Sequence, residues 1–488
     1  MNHVGHMLVK ASSVSLTEQL VQLIASRIQS HLLSPGSKLP SVRQCAQQHQ
    51  LSPSTVVAAY DRLQAQGWIE ARKNRGFFVR EVLKNEAISP ASTGNSHSTD
   101  SSSGAAVARH HQAPLNAGAL VRGMFHRISD KPQPGMGVLP PAWLDNHFLA
   151  SSVRHVMSKG VASFSYEYGE PHGDMGLRRA LSGKLQQHQI QAEADQIITT
   201  IGATHALDIV SRTLLRAGDA VMVEEPGWAI EYARLAYMGL KILPVPRGPM
   251  GPDLEIMKQY CEQHHPKLFV SLSVLHNPTG YCLTPSSAHS LLTLAREKQF
   301  YIVEDDTYSP LANEHATRLC ALDALQQTIY VGGFAKILAP NWRVGFLASP
   351  AHLTERFLET KMLSTLTTPS LLEKALAYCI EQGQLRRHTE RIRTQLSAAR
   401  NRSTQLALAH GCEFKAEPAG LFGWVDTGVD TDALSQRMLD EGYLLAPGAL
   451  FHANRVPSTL MRINFATTQD LAFWQVFERL TEQMQERK

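Results

Sequence analysis

TIYVGGFAKILAPNWRVG (328–345) is the stretch that decides the fold. Thr328–Gly332 opens it with β-branched and aromatic residues, which read as a short buried strand. Lys336 follows that strand directly, and Arg343 comes seven residues later. A lysine that leaves a strand end into a pocket is easily desolvated, which lowers its pKa and suits it to imine chemistry. An arginine beside it can grip a phosphate through two parallel N–H donors. Such groups at a strand's carboxyl end belong to an α/β sheet, where ligands bind beyond those ends.

Working outward, the same pattern repeats. Apolar strand-like runs cover Gln196–Ile201, Ala220–Glu225, Lys241–Pro246, Lys267–Val274 and Phe300–Glu304. Helical stretches at Thr204–Arg216, Ala229–Met238 and Pro285–Lys298 lie between some of them, predicting a mostly parallel sheet. A long helical region follows at about 370–410, then a strand-like MRINF (461–465). Three turns after strands carry chemistry. Gly202-Ala203-Thr204 opens a helix whose free N–H groups suit a phosphate, or is a plain turn capped by Thr204. Asn277-Pro-Thr-Gly280 offers an amide donor on a sharp turn. Glu304-Asp305-Asp306-Thr307-Tyr308 offers carboxylates that suit Mg²⁺, solvent, or the protonation of a pyridine nitrogen.

The N-terminus reads differently. Ser15-Leu-Thr-Glu18 is a capping box before an apolar stripe of Leu16, Leu20, Leu23, Ile24, Ile28 and Leu32, ended by Pro35-Gly36. Ser41-Val-Arg-Gln44 starts a second short helix. Ser52 caps a third with Pro53 in its first turn, and Val56, Ala59, Tyr60 and Leu63 form the inner face. Strand-like Trp68–Ala71 and Gly76–Val79 then flank a basic turn, Arg72-Lys73-Asn74-Arg75. Three helices and a basic hairpin predict a winged helix-turn-helix for the major groove of double-stranded DNA. Ser54 and Thr55 lead the reading helix, Arg43 starts the second, and Arg72, Lys73 and Arg75 arm the wing.

Charge supports that division. Residues 1–80 hold nine Lys/Arg and three Asp/Glu, whereas the rest hold 38 and 40. A basic head on a neutral body points to a polyanion partner for the head alone. Between them, about 84–114 is Ser/Thr/Ala/Gly-rich with almost no large apolar residue and reads as a flexible linker; its His110-His111 pair reads as solvated. At 488 residues, 43% hydrophobic and 18% charged, the chain has ordinary globular composition and room for more than one domain. No apolar run of spanning length or signal-peptide core occurs, and the six cysteines are scattered without a CxxC. They predict a reduced, cytosolic protein with no membrane partner and no metal site.

The head, through LPSVR, S-x-x-TV and AYDRL, resembles the GntR family of bacterial regulators over residues 14–80. Pro53 departs from the family, which usually has Arg after the capping Ser. The body, over 118–488, looks like a fold-type I pyridoxal-phosphate enzyme of the aminotransferase class I/II group. Together the halves resemble the MocR subfamily. The resemblance implies an α/β fold class: a winged helix-turn-helix at 1–82, a linker at 83–117, and an aminotransferase-like body at 118–488 with a large α/β domain and a smaller α+β domain. It implies Lys336 as the Schiff-base lysine, Asp305 rather than Asp306 at the pyridine nitrogen, and Tyr308 and Asn277 at the ring hydroxyl. Ala203 and Thr204 backbone groups and Arg343 would hold the phosphate, Trp228 would stack on the ring, and Tyr168 would reach a neighbouring subunit's phosphate. Arg462 would grip an α-carboxylate. Relatives carry hydroxyl residues just before the lysine where this chain has Gly333 and Ala335.

Three functions follow as expectations. The first is a homodimeric bacterial regulator that senses pyridoxal phosphate, or an amino compound as its external aldimine. The second is an active aminotransferase with a secondary head. The third is a regulator whose body only dimerises.

Overall fold

The computed structural model describes residues 14–29, 33, 36, 38–72, 75–80, 129–145, 147–158, 167–312 and 315–486. Leu32, Pro35, Lys73 and the linker of 83–117 lie outside the described residues. The chain divides into two compact units, Met1–Arg127 and Ile128–Lys488.

In the first unit, α1 (Leu16–Gln29), α2 (Val42–His49) and α3 (Pro53–Ala65) precede an antiparallel hairpin of β1 (Ile69–Arg72) and β2 (Gly76–Val79). Each helix begins where a short hydroxyl side chain takes up an otherwise orphaned N–H. Ser15 Oγ accepts from Glu18 N at 3.2 Å and Ser52 Oγ from Thr55 N at 3.1 Å. Ser41 and Gln44 exchange both bonds of a capping box, at 3.3 and 3.0 Å. Leu20, Ile24, Ile28, Val56, Ala59, Tyr60, Leu63, Ile69 and Val79 close one core. Leu16 is only half-buried, and Val21 joins the core instead. β1 begins one residue later than the sequence pattern predicts, because Trp68 N still bonds Leu63 O at the end of α3.

The second unit is built on a seven-stranded sheet ordered β3-β9-β8-β7-β6-β4-β5. Its strands are β3 (Ile197–Thr200), β4 (Ala220–Glu225), β5 (Lys241–Pro246), β6 (Leu268–Ser271), β7 (Tyr301–Asp305), β8 (Thr328–Gly333) and β9 (Gly345–Ala348). The pairs from β5 through β8 are parallel, and β9 runs antiparallel between β8 and β3. The strands are near-continuously apolar because helices cover both faces. Val221 and Val303 pack on one face with Leu207 and Phe357, while Met222 and Ile302 pack on the other with Phe269 and Leu291.

A smaller antiparallel sheet ordered β10-β11-β13-β12 follows, from β10 (Glu413–Phe414), β11 (Phe422–Asp426), β12 (Ala446–Pro447) and β13 (Leu460–Asn464). The long helical region is two helices, Ser370–Glu381 and Gln384–Ala409, broken at Gly383 in a left-handed conformation (φ +65°). Among the described residues, no helix is long and apolar enough to cross a membrane.

Candidate functional site

The sheet delivers the chemistry at its carboxyl ends. Asp305 is the last residue of β7, Lys336 follows β8, and Gly202 follows β3 after Ile201. Arg462 comes from β13 of the smaller sheet, opposite Trp424 and Ala446. Lys336 is half-buried; its Nζ donates to Gly137 O at 2.8 Å and lies 5.1 Å from the centre of the Tyr308 ring. Burial, and then the neighbouring Arg462 charge, push its pKa down to about 8. A neutral amine is therefore within reach at physiological pH.

Tyr308, Asn277 and Arg462 are all buried. Arg462 Nη1 donates to Asn277 Oδ1 at 2.9 Å, and Asn277 Nδ2 donates to Tyr308 Oη at 3.4 Å. The first contact fixes the second. A guanidinium only donates, so the amide oxygen must face it and the NH₂ must face the phenol. Arg462 also lies 4.2 Å over the Phe422 ring and 5.1 Å from that of Phe451. Its Nε is buried without an acceptor.

Strand alternation sorts the three carboxylates. Glu304 accepts from Leu319 N and Cys320 N at 2.7 and 2.8 Å and caps the helix Leu319–Asp323. Asp306 is held by Arg318 Nε at 2.8 Å and Tyr330 Oη at 3.0 Å. Asp305, one step between them, points to the other side and, among the described residues, accepts only from Thr307. It pairs with no cation among the described residues. Burial pushes its carboxyl up to about 6. Among the described residues, no group of His, Cys, Asp and Glu is arranged to hold a metal.

A second end of the site surrounds the turn after β3. Gly202 (φ +77°) precedes the helix Ala203–Leu214, and no side chain caps that helix's first turn. A Cβ on Gly202 would stand 2.8 Å from Arg343 Nη2, and one on Gly345 would stand 2.5 Å from Gly202 C. Backbone thus packs on backbone, with Arg343 closing over the turn; its Nη2 donates to Ile201 O at 3.0 Å. Arg343 itself is in the left-handed region (φ 49°), a strained conformation held by its surroundings. A cleft of about 240 Å³ opens beside it, walled by Thr200, Trp342, Thr368 and Glu373. Gly333 faces Ala203, whose N would lie 3.6 Å from an added Cβ.

These residues fit the pyridoxal phosphate that the resemblance implies. The uncapped helix start with Arg343 suits a phosphate, the cation-free Asp305 suits a pyridinium, and the orphaned Arg462 Nε suits a carboxylate. Two further expected residues make no side-chain hydrogen bond or ring contact with this cluster among the described residues. Trp228 is half-buried before the helix Ala229–Tyr237, beyond the end of β4. Tyr168 is 81% exposed.

In the head, the Ser54 and Thr55 hydroxyls meet Ser52 Oγ at 2.8 and 2.7 Å at the start of α3. Arg43 and Arg75 are exposed; Arg72 is tied to Glu70 at 2.7 Å and lies over the Phe78 ring. The sequence reading missed Val57, which is 43% exposed one turn past Ser54 on the outer face of α3. It also missed Gly135 and Gly137, whose carbonyls hold Arg462 and Lys336. The Pro/Gly-rich QPGMGVLP (133–140) signals only a loop.

Residues 145–479 match the family described as aminotransferase class I and II, and residues 16–79 match bacterial regulatory proteins of the gntR family. The chain is 27% identical to the uncharacterized HTH-type transcriptional regulator YdcR of Escherichia coli, covering 95% of this chain and 96% of that one. It is 27% identical to the probable rhizopine catabolism regulatory protein MocR of Rhizobium meliloti, over 78% and 75% of the two chains. The structure of the kynurenine aminotransferase of Pyrococcus horikoshii, a complex containing PMP, superposes with a TM-score of 0.67 at 25% identity, over 74% of this chain and 92% of that one.

Proposed function

Because the chain belongs to the aminotransferase class I and II family and carries a gntR-family helix-turn-helix head, we propose that it is a DNA-binding regulator whose body binds pyridoxal phosphate. In this reading the body senses that cofactor or an amino compound joined to it. One observation carries the proposal: Lys336, Tyr308, Asn277 and Arg462 form one contiguous cluster in a chain that also bears a basic reading head. We propose the division 1–82, 83–117 and 118–488 for head, tether and body.

When bound, pyridoxal phosphate supplies a carbonyl that condenses with amines and a ring that accepts electrons. Lys336 would hold it through its amine, and Asp305 would keep the ring nitrogen protonated. Asn277 would donate toward the ring hydroxyl from the orientation Arg462 imposes, beside Tyr308. Ala203, Thr204 and Arg343 would take the phosphate, Trp228 would cover the ring, and Tyr168 would serve a partner subunit of a homodimer. Arg462 would select an effector with a carboxylate. In the head, Ser54, Thr55 and Val57 would meet base edges, while Arg43, Arg72, Lys73 and Arg75 would meet phosphates. A cytoplasmic location follows from the proposed work on DNA.

The test is a visible spectrum after adding pyridoxal phosphate, then borohydride reduction. A yellow species that reduction fixes to Lys336, and that Lys336→Ala abolishes, is expected; a species that survives Lys336→Ala sinks the pocket reading. Retention of specific genomic fragments is expected in a pull-down, and retention of none sinks the regulator. Sustained amino transfer between an amino acid and a 2-oxo acid would promote the enzyme reading, which the same side chains permit.

A further inference from the structure

The turn after β3 is held by two peptide units, one on each side of Ile201. Thr200 C=O and Ile201 N–H share the first, and Ile201 C=O and Gly202 N–H share the second. Gly202 N donates to Thr200 O at 2.9 Å and ties the units together. Arg343 Nη2 donates to Ile201 O at 3.0 Å, so the second unit aims the guanidinium. The first unit is pinned by a side chain: Ile201 N donates to His205 Nδ1 at 3.1 Å.

A backbone N–H only donates, so His205 Nδ1 is the acceptor and the ring proton sits on Nε2. Nε2 meets Ser364 Oγ at 3.3 Å, and Ser364 Oγ donates to Lys361 O at 3.0 Å. Ser364 gives its proton to that carbonyl, so toward His205 it accepts. A relay with every direction set thus runs from the helix Ala351–Thr365 to Arg343, and it requires a neutral imidazole. Burial holds the His205 pKa below the ordinary histidine value; Lys361 and Arg343 add to the shift, and Asp208 opposes it. Ile201 precedes the helix Ala203–Leu214, so His205 does not draw on the N–H groups of Ala203 and Thr204. Arg343 spends a single N–H on Ile201 O and can keep that bond while its other donors take a phosphate.

We propose that His205 is a positioning residue of the phosphate end: Ser364 sets its tautomer, and its Nδ1 fixes the peptide units that aim Arg343. The inference rests on the pocket reading above. Without that acceptor the Thr200–Ile201 peptide is no longer pinned, Gly202 N loses a fixed partner, and Arg343 loses a fixed carbonyl. A plain helix cap would cost stability but would treat a phosphorylated and an unphosphorylated ligand alike.

The experiment titrates the full-length protein by absorbance with pyridoxal phosphate and with pyridoxal, which lacks the phosphate. The ratio of the two affinities, compared between variants, reads the phosphate end alone. His205→Leu should cut that ratio roughly tenfold by weakening pyridoxal phosphate, with pyridoxal little changed. His205→Asn places an amide oxygen close to the position of Nδ1 and should restore the ratio to within about threefold of the parent. Ser364→Ala keeps the acceptor but releases the ring, and should cut the ratio about threefold. A parent-like ratio in His205→Leu, equal weakening of both ligands, or no rescue by asparagine overturns the proposal. If His205→Leu does not fold in a thermal melt, Ser364→Ala decides, and a parent-like ratio there overturns it. A parent that binds neither ligand condemns the pocket reading, a result distinct from binding with an unaltered ratio.

Discussion

Asp305 sits buried at the end of β7 with Thr307 as its donor and a carboxyl raised to about 6. A raised acid costs the fold stability once it ionises, so the cost is absent below pH 4 and complete above about 6. Asp305→Asn should therefore raise the melting temperature of the ligand-free protein relative to the parent, with the gap opening between pH 4 and 6 and then levelling. Its size should be on the order of 2–3 kcal/mol. The same substitution should weaken pyridoxal phosphate by tenfold or more, read by absorbance titration. Equal affinity would move the ring nitrogen away from Asp305. Gly333 offers the opposite experiment. Its backbone conformation suits any residue, and an added Cβ meets only ordinary contacts at 3.5 Å or beyond. Gly333→Ser restores a hydroxyl beside Ala203 and should tighten pyridoxal phosphate several-fold, about 0.5–1.5 kcal/mol. No gain would mean that the phosphate lies elsewhere.

At the scale of elements, the reading helix and the wing should separate by salt. Arg75→Ala should weaken DNA uniformly across sequences and reduce the slope of log affinity against log salt by about one. Val57→Ser should leave that slope alone and change preference among sites, checked by selection from a random pool. An unchanged preference would remove Val57 from the interface.

Elements also mark where the sequence was legible. Helix caps, apolar stripes and strand runs are local signals, and they found the three head helices, both wing strands and the sheet through β8. β9 escaped because Gly345–Ala348 is short, with small residues at both ends, and its place between β8 and β3 is a long-range fact. The break at Gly383 also escaped, since periodicity continues on both sides. Lys336 and Asn277 were singled out by residue type and turn, Tyr308 and Arg462 through the family resemblance, and the structure brings the four together. The carbonyls of Gly135 and Gly137 were not legible, because a backbone acceptor leaves no mark in the sequence.

For the whole molecule, the two units have separate hydrophobic cores. Among the described residues, the head's core draws on residues up to Val79, and the cores of the body begin at Leu139. A chain starting at 129 should fold alone, melt within about 2 °C of the parent's main transition, and give the same spectrum with pyridoxal phosphate. It should retain no promoter fragment. Loss of the spectrum on truncation would show that the head takes part in the pocket. The charge asymmetry anticipated this separation, because an interior does not sustain a net charge whereas a polyanion-binding surface requires one.

The Glu304–Asp305–Asp306 run has a consequence for how such a chain drifts. All three positions are carboxylates, and pleat phase decides which one faces away from Arg318 and the helix Leu319–Asp323. Slipping β7 by one residue would turn Asp305 toward Arg318 and present Glu304 in its place, stripped of its bonds to Leu319 N and Cys320 N. Composition and motif would survive that slip, and pocket chemistry would not. Lineages descended from this gene could thus silence the body by a register change while every motif search still reported it intact.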